Sequence, residues 1–166
     1  METRNIVLIG MMASGKTTVG GLLAASLGRP LVDTDALIEE REGRTIPAIF
    51  AADGEGYFRD RERETAEVLA RRTGLVIACG GGLPLRAAAM APLKASGVVF
   101  WLCRDPGRTY DTVSMAGRPL AQEGKAAFLD RFAQREPVYR QWADHIIPEA
   151  PSPEAAADAI LEVLRA

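Results

Sequence analysis

The sequence predicts an α/β fold, and three features carry that prediction. Apolar, β-branched runs recur along the chain, helical patterns separate them, and a glycine-rich turn joins the first run to the first helix. Apolar runs that are continuous rather than alternating suit strands covered on both faces, as in a parallel sheet. Strands alternating with helices then imply right-handed crossovers between parallel neighbours.

The first run is Asn5–Ile9, and it leads through the turn into Thr17–Leu27, which sets Val19, Leu22, Leu23 and Leu27 on one helical face. Gly20 and Gly21 inside that helix cost it about 1 kcal/mol each relative to Ala. Pro30–Val32 is a weaker strand, ending at Asp33-Thr34-Asp35. Glu55–Arg72 is a long, heavily charged helix with Phe58, Thr65 and Leu69 on its apolar side. Leu75–Cys79, Val98–Cys103 and the short His145–Ile147 are the remaining strands. Asp105-Pro106 and Ser152-Pro153 each read as an N-cap followed by Pro at the first helical position. Asp111–Gly124, punctuated by Gly117, Pro119 and Gly124, reads as a mobile loop, and long loops in small domains are usually functional.

A length of 166 residues fits one domain with a proper core. Net charge is −2, with basic and acidic residues mixed along the chain, which argues against nucleic acid or an anionic membrane as the main partner. Cys79 and Cys103 are not spaced as a zinc knuckle and read as free buried thiols of a reducing compartment. No secretory signal is visible, and no apolar stretch approaches the roughly 20 residues that span a bilayer. The expectation is a cytoplasmic protein.

Chemistry enters at Gly10-Met11-Met12-Ala13-Ser14-Gly15-Lys16-Thr17, which fits G-x-x-x-x-G-K-[ST]. Glycines let the backbone curl so that N–H groups, among them those of Ala13, Ser14, Gly15 and Thr18, face phosphate oxygens at the positive end of a helix. Lys16 then reaches the β- and γ-phosphates, and the Thr17 hydroxyl ligates Mg²⁺. The expected ligand is a nucleoside triphosphate. Asp33 and Asp35 follow the second strand, and strand ends in open α/β sheets converge on one crevice. A site holding Mg²⁺ and a lysine tolerates such a pair, although a helix N-cap near Ala36 accounts equally for one of them. Gly80-Gly81-Gly82 ends another strand and lets a ligand approach the backbone; a tight turn before Pro84 is the plainer reading. Spacing alone leaves Arg59, Arg118 and Arg135 as surface side chains, though Glu62 is a helical neighbour able to hold Arg59.

Taken together, "GMMASGKTTVG", "DTD", "FRDRE" (Phe58–Glu62), "GGG", "GRPL" (Gly117–Leu120) and "REPVY" (Arg135–Tyr139) resemble the shikimate kinase family in order and spacing. The resemblance covers nearly the whole chain. It implies one domain over residues 1–166, in a three-layer P-loop kinase fold of the nucleoside-monophosphate-kinase type. It further implies a five-stranded parallel sheet in the order 2-3-1-4-5, a substrate-binding region near residues 34–60 and a lid near 111–124. The implied reaction is ATP-dependent phosphorylation of the shikimate 3-hydroxyl, by a monomer using Mg²⁺. Asp33 would hold the metal through water, and Asp35 would bind the substrate hydroxyls and accept the proton. Arg59, Arg135 and the Gly80–Gly82 turn would take the substrate carboxylate. Arg118 would close on the ATP phosphates, and Arg108 would border the adenine.

Two kinds of alternative remain. A kinase of another small hydroxy acid such as gluconate shares the loop and the fold, and a nucleotide-binding module without catalysis shares the loop. A GTPase is disfavoured because no Asn-Lys-x-Asp motif occurs, and the D-x-x-G string at Asp53–Gly56 follows a helical segment rather than a strand.

Overall fold

A computed structural model describes residues 3–115 and 124–166, for 113–115 the backbone only. Arg118 and most of the segment expected as a lid lie outside the described residues. The described residues form a five-stranded parallel sheet in the order β2-β3-β1-β4-β5. The strands are β1 (Asn5–Ile9), β2 (Leu31–Asp33), β3 (Val76–Ala78), β4 (Gly97–Leu102) and β5 (His145–Ile147). This is the order that the family resemblance implies.

Both faces are covered, which is why the central strand reads as an unbroken apolar run. Ile6 and Leu8 point one way, into a layer with Val19, Leu23, Ile160 and Leu161 from α1 (Lys16–Leu27) and α7 (Pro153–Arg165). Val7 and Ile9 point the other way, against Leu69, Met90, Phe128 and Tyr139. Those four come from α3 (Ile46–Ala70), α4 (Ala87–Ser96) and α6 (Lys125–Trp142). The register Val7↔Ile77 and Val7↔Val99 keeps the same alternation across three strands. A small satellite core of Ile38, Ile49 and Phe58 joins α2 (Thr34–Glu42) to α3. No described helix is long and apolar enough to cross a membrane.

Several expectations need correction. The charged helix starts at Glu55 as expected, but a further helical stretch from Ile46 precedes it within α3, the two meeting at Gly54, whose φ of 85° is foreign to a helix. The segment expected as a loop from Asp111 is helical through Met115 in α5 (Pro106–Met115). Thr112 Oγ1 donates back to the Arg108 carbonyl there (2.9 Å), and Asp111 pairs with Lys125 across the segment's two ends (3.0 Å). Leu27 is exposed rather than packed, and Cys103 is only partly buried. The sequence alone places Arg135 near a helix end, just before Pro137; Pro137 instead sits inside α6, so Arg135 lies mid-helix. Gly20 has a use: a Cβ there would stand 2.8 Å from Leu31 Cδ1, so its absence lets α1 lie close on the sheet.

Both Pro-marked helix starts stand as expected. Asp105 accepts from the Arg108 N–H (2.8 Å) and Ser152 from the Ala155 N–H (3.1 Å). His145 lies in β5 with its ring stacked on Phe100.

Candidate active site

The glycine-rich turn runs from the end of β1 into α1. Gly10 and Gly15 carry φ values of 149° and 90°, and Ala13 is also left-handed at 63°. A non-glycine residue there costs on the order of 1–3 kcal/mol, a strain that recurs at ligand clamps. A Cβ on Gly10 would sit 2.8 Å from the Leu102 carbonyl, so only glycine lets this turn pass β4. Lys16 is buried under the loop, where its ammonium donates to the Gly10 and Met11 carbonyls at 2.8 and 2.7 Å. Burial pulls its pKa down to about 8, against the opposing charges of Asp35 and Asp33. Thr17 and Thr18 stand exposed in the first turn of α1.

Two strands deliver the acids. Asp33 ends β2 and caps α2, with Oδ1 accepting from the Ala36 N–H (3.0 Å), while Oδ2 accepts from the Thr17 hydroxyl (2.6 Å). Capping α2 therefore occupies one oxygen of Asp33 and leaves the other facing the Thr17 hydroxyl. Asp35 lies in the first turn of α2, and burial followed by the neighbouring Asp33 raises its pKa.

Each of the three glycines after β3 lies against a different charged side chain. A Cβ on Gly80 would stand 2.5 Å from Asp35 Oδ1, one on Gly81 would stand 3.3 Å from Arg135 Nη1, and one on Gly82 would stand 2.7 Å from both terminal nitrogens of Arg59. The turn thus packs its bare backbone against one carboxylate and two guanidinium groups. Arg59 is held by Glu62 (2.6 Å) and Glu55 (3.4 Å). Glu62 is buried, and desolvation pushes its carboxyl up to about 7 even with Arg59 beside it. Arg135 Nη1 is buried and has no hydrogen-bond partner among the described residues. A buried donor left without an acceptor is costly in a finished protein core and reasonable where an anion binds.

Other contributors were missed from the sequence. Thr34, buried between the two acids, accepts the Gly80 N–H on its hydroxyl (2.9 Å) and ties the β2 exit to the glycine turn. Arg104 donates to the Ala13 carbonyl (3.3 Å). Beyond Ser14 and Gly15 opens a cleft of about 560 Å³, walled by Arg104, Arg108 and the Pro148–Pro153 segment, within the size range of small-molecule sites. Arg108 lines this cleft, ion-paired to Glu149 across it.

The donor set at Thr17 and Asp33 is all oxygen, with a second carboxylate close by. That suits a hard cation. No group of three or more acidic, His or Cys ligands occurs among the described residues. Such a sparse set fits Mg²⁺, which keeps its waters and takes further ligands from substrate phosphates.

A profile of the family described as "Shikimate kinase" matches residues 12–165. The chain is 47% identical to a shikimate kinase of Symbiobacterium thermophilum, over 84% of this chain and 83% of that one. It is 37% identical to a shikimate kinase of Sulfurihydrogenibium sp., over 98% of each. Among solved structures, shikimate kinase from Acinetobacter baumannii in complex with shikimate superposes with a TM-score of 0.86 at 38% identity, covering 98% of this chain and 91% of that one. The enzyme from Bacteroides thetaiotaomicron gives 0.90 at 29% identity, covering 99% of both.

Proposed function

The chain belongs to the shikimate kinase family, and from that premise we propose how its residues divide the work of moving the γ-phosphoryl group of ATP to the shikimate 3-hydroxyl. It is an ATP-dependent phosphotransferase with an alcohol acceptor. The observation that carries the assignment is the Gly80–Gly82 turn, whose three backbone positions abut Asp35, Arg135 and Arg59 in succession.

The substrate carries a single carboxylate. Two planar guanidinium groups on one turn meet it with parallel hydrogen bonds, which fix orientation as well as supplying affinity. Arg135 Nη1 gains the partner it lacks. With the carboxylate held there, Asp35 faces the hydroxyl end of the ring. Burial raises the pKa of Asp35, which makes its carboxylate a better acceptor for the proton that the 3-hydroxyl gives up. The hydroxyl oxygen bonds to the γ-phosphorus, the bond from that phosphorus to the β,γ-bridging oxygen breaks, and ADP leaves.

On the nucleotide side the N–H groups of residues 10–18 cradle the phosphates, and Lys16 swings from its carbonyl partners to the β/γ-oxygens. Thr17 and Asp33 would hold Mg²⁺, Asp33 through water, and the ion would neutralise charge on the transferring group. Arg108 would border the adenine in the cleft. The family pattern adds Arg118, outside the described residues, on the phosphates. A monomer and a cytoplasmic location complete this reading.

A coupled ADP-release assay with ATP and Mg²⁺ tests it, comparing shikimate, gluconate, a nucleoside monophosphate and no acceptor. Release with shikimate alone is expected, at about 1–100 s⁻¹. Release with another acceptor instead would overturn the roles of Arg59 and Arg135.

A further inference from the structure

Tyr139 lies four residues after Arg135 on α6, so the two side chains share one face a turn apart. The residue is fully buried, its ring tilted against Trp101 at 6.0 Å between centroids. As core filling, the ring alone would suffice. The hydroxyl does more: it donates a 2.6 Å hydrogen bond to the Gly81 carbonyl, with Met11 Sδ at 3.6 Å. Burial raises its pKa against the pull of the Arg135 guanidinium, which also meets the hydroxyl, so the phenol keeps its proton, donates to Gly81 and touches Arg135 directly.

The acceptor is not an arbitrary carbonyl. Gly81 belongs to the turn whose backbone abuts Arg135 Nη1 and, one residue on, both terminal nitrogens of Arg59. A trans peptide sets its C=O and N–H antiparallel, so fixing the Gly81 oxygen also fixes the direction of the Gly82 N–H. Without side chains, Gly81 and Gly82 have wider backbone freedom than any other residue type, and something must hold them. Thr34 anchors the turn at its first residue, through the Gly80 N–H. Tyr139 anchors it at the second.

We propose that Tyr139 is a positioning residue for the substrate carboxylate, its hydroxyl locking the Gly81–Gly82 peptide against α6 so that Arg135, Arg59 and the turn keep one geometry. This rests on the reading of Arg59 and Arg135 as the carboxylate site. It assigns the last residue of "REPVY" a role separate from that of Arg135.

The test is Tyr139→Phe, which keeps the ring and removes the hydroxyl, measured beside Arg135→Lys and the double variant. Tyr139→Phe is expected to raise the KM for shikimate about threefold to tenfold, the range of one lost hydrogen bond, with the KM for ATP unchanged. In the Arg135→Lys background the same change should have a smaller effect, because the two act on one geometry. An unchanged shikimate KM with a lowered Tm would overturn the proposal and leave Tyr139 as core. Equal rises in both KM values would overturn it as well. If Arg135→Lys also leaves the shikimate KM unmoved, the carboxylate site itself is wrong, and the proposal falls with it.

Discussion

The Thr17 hydroxyl donates a 2.6 Å hydrogen bond to Asp33 Oδ2, joining the first turn of α1 to the end of β2 where a metal-bound phosphate would lie. The other oxygen of Asp33 caps α2. Asp33→Asn separates the two jobs, because Asn caps a helix as well as Asp while the charge is lost. The expected result is an unchanged Tm, with the Mg²⁺ concentration for half-maximal rate raised about tenfold or more. An unchanged Mg²⁺ dependence would remove Asp33 from the metal site.

Asp35 is held against Gly80 and is raised in pKa by its burial. Asp35→Asn keeps the shape and removes the base. Turnover should fall by about 10²–10⁴, with ATP binding by calorimetry unaffected. A near-normal kcat would exclude Asp35 as the proton acceptor.

Lys16 has a pKa lowered to about 8 by burial. Phosphates stabilise its charged form, so ATP binding near that pH should draw in protons. Calorimetry in buffers of different ionisation enthalpy is expected to show proton uptake that grows as pH rises through about 8, with ATP affinity weakening above it. Binding without proton uptake would mean that Lys16 does not meet the phosphates.

Glu62 ties stability to pH. Its folded pKa is pushed up to about 7 from an ordinary 4.5. The folded state therefore holds more protons than the unfolded state between those values. The contribution of this group is fully present below about pH 4.5 and is lost as pH rises through 7. Glu62→Gln should flatten the fall in urea-unfolding stability across that window. An identical pH profile in the variant would show that Glu62 titrates normally.

How much of this could be read beforehand follows from how local each signal is. The P-loop was legible because Gly10, Gly15, Lys16 and Thr17 are neighbours in sequence and act through their own backbone. The strands were legible because burial on two faces leaves a contiguous apolar record, as in Asn5–Ile9. Arg135 was not, since its burial depends on α6 running through Pro137, against the local preference of proline. Nor was the bond from the Gly80 N–H to Thr34, which joins positions 46 residues apart. Three consecutive glycines announced a close approach without saying to what. Only the fold reveals that each meets a different side chain.

Gly82→Ala is the most direct test of that convergence. Gly82 has an ordinary negative φ of −93°, so alanine meets no backbone strain. Its Cβ would stand 2.7 Å from both terminal nitrogens of Arg59, and the flexible tip of that side chain must give way. The account predicts a shikimate KM raised about tenfold or more, the scale of a displaced charge-assisted pair, with Tm and the KM for ATP unchanged. A shikimate KM equal to that of the unmodified protein would contradict the claim that this turn holds Arg59 against the substrate.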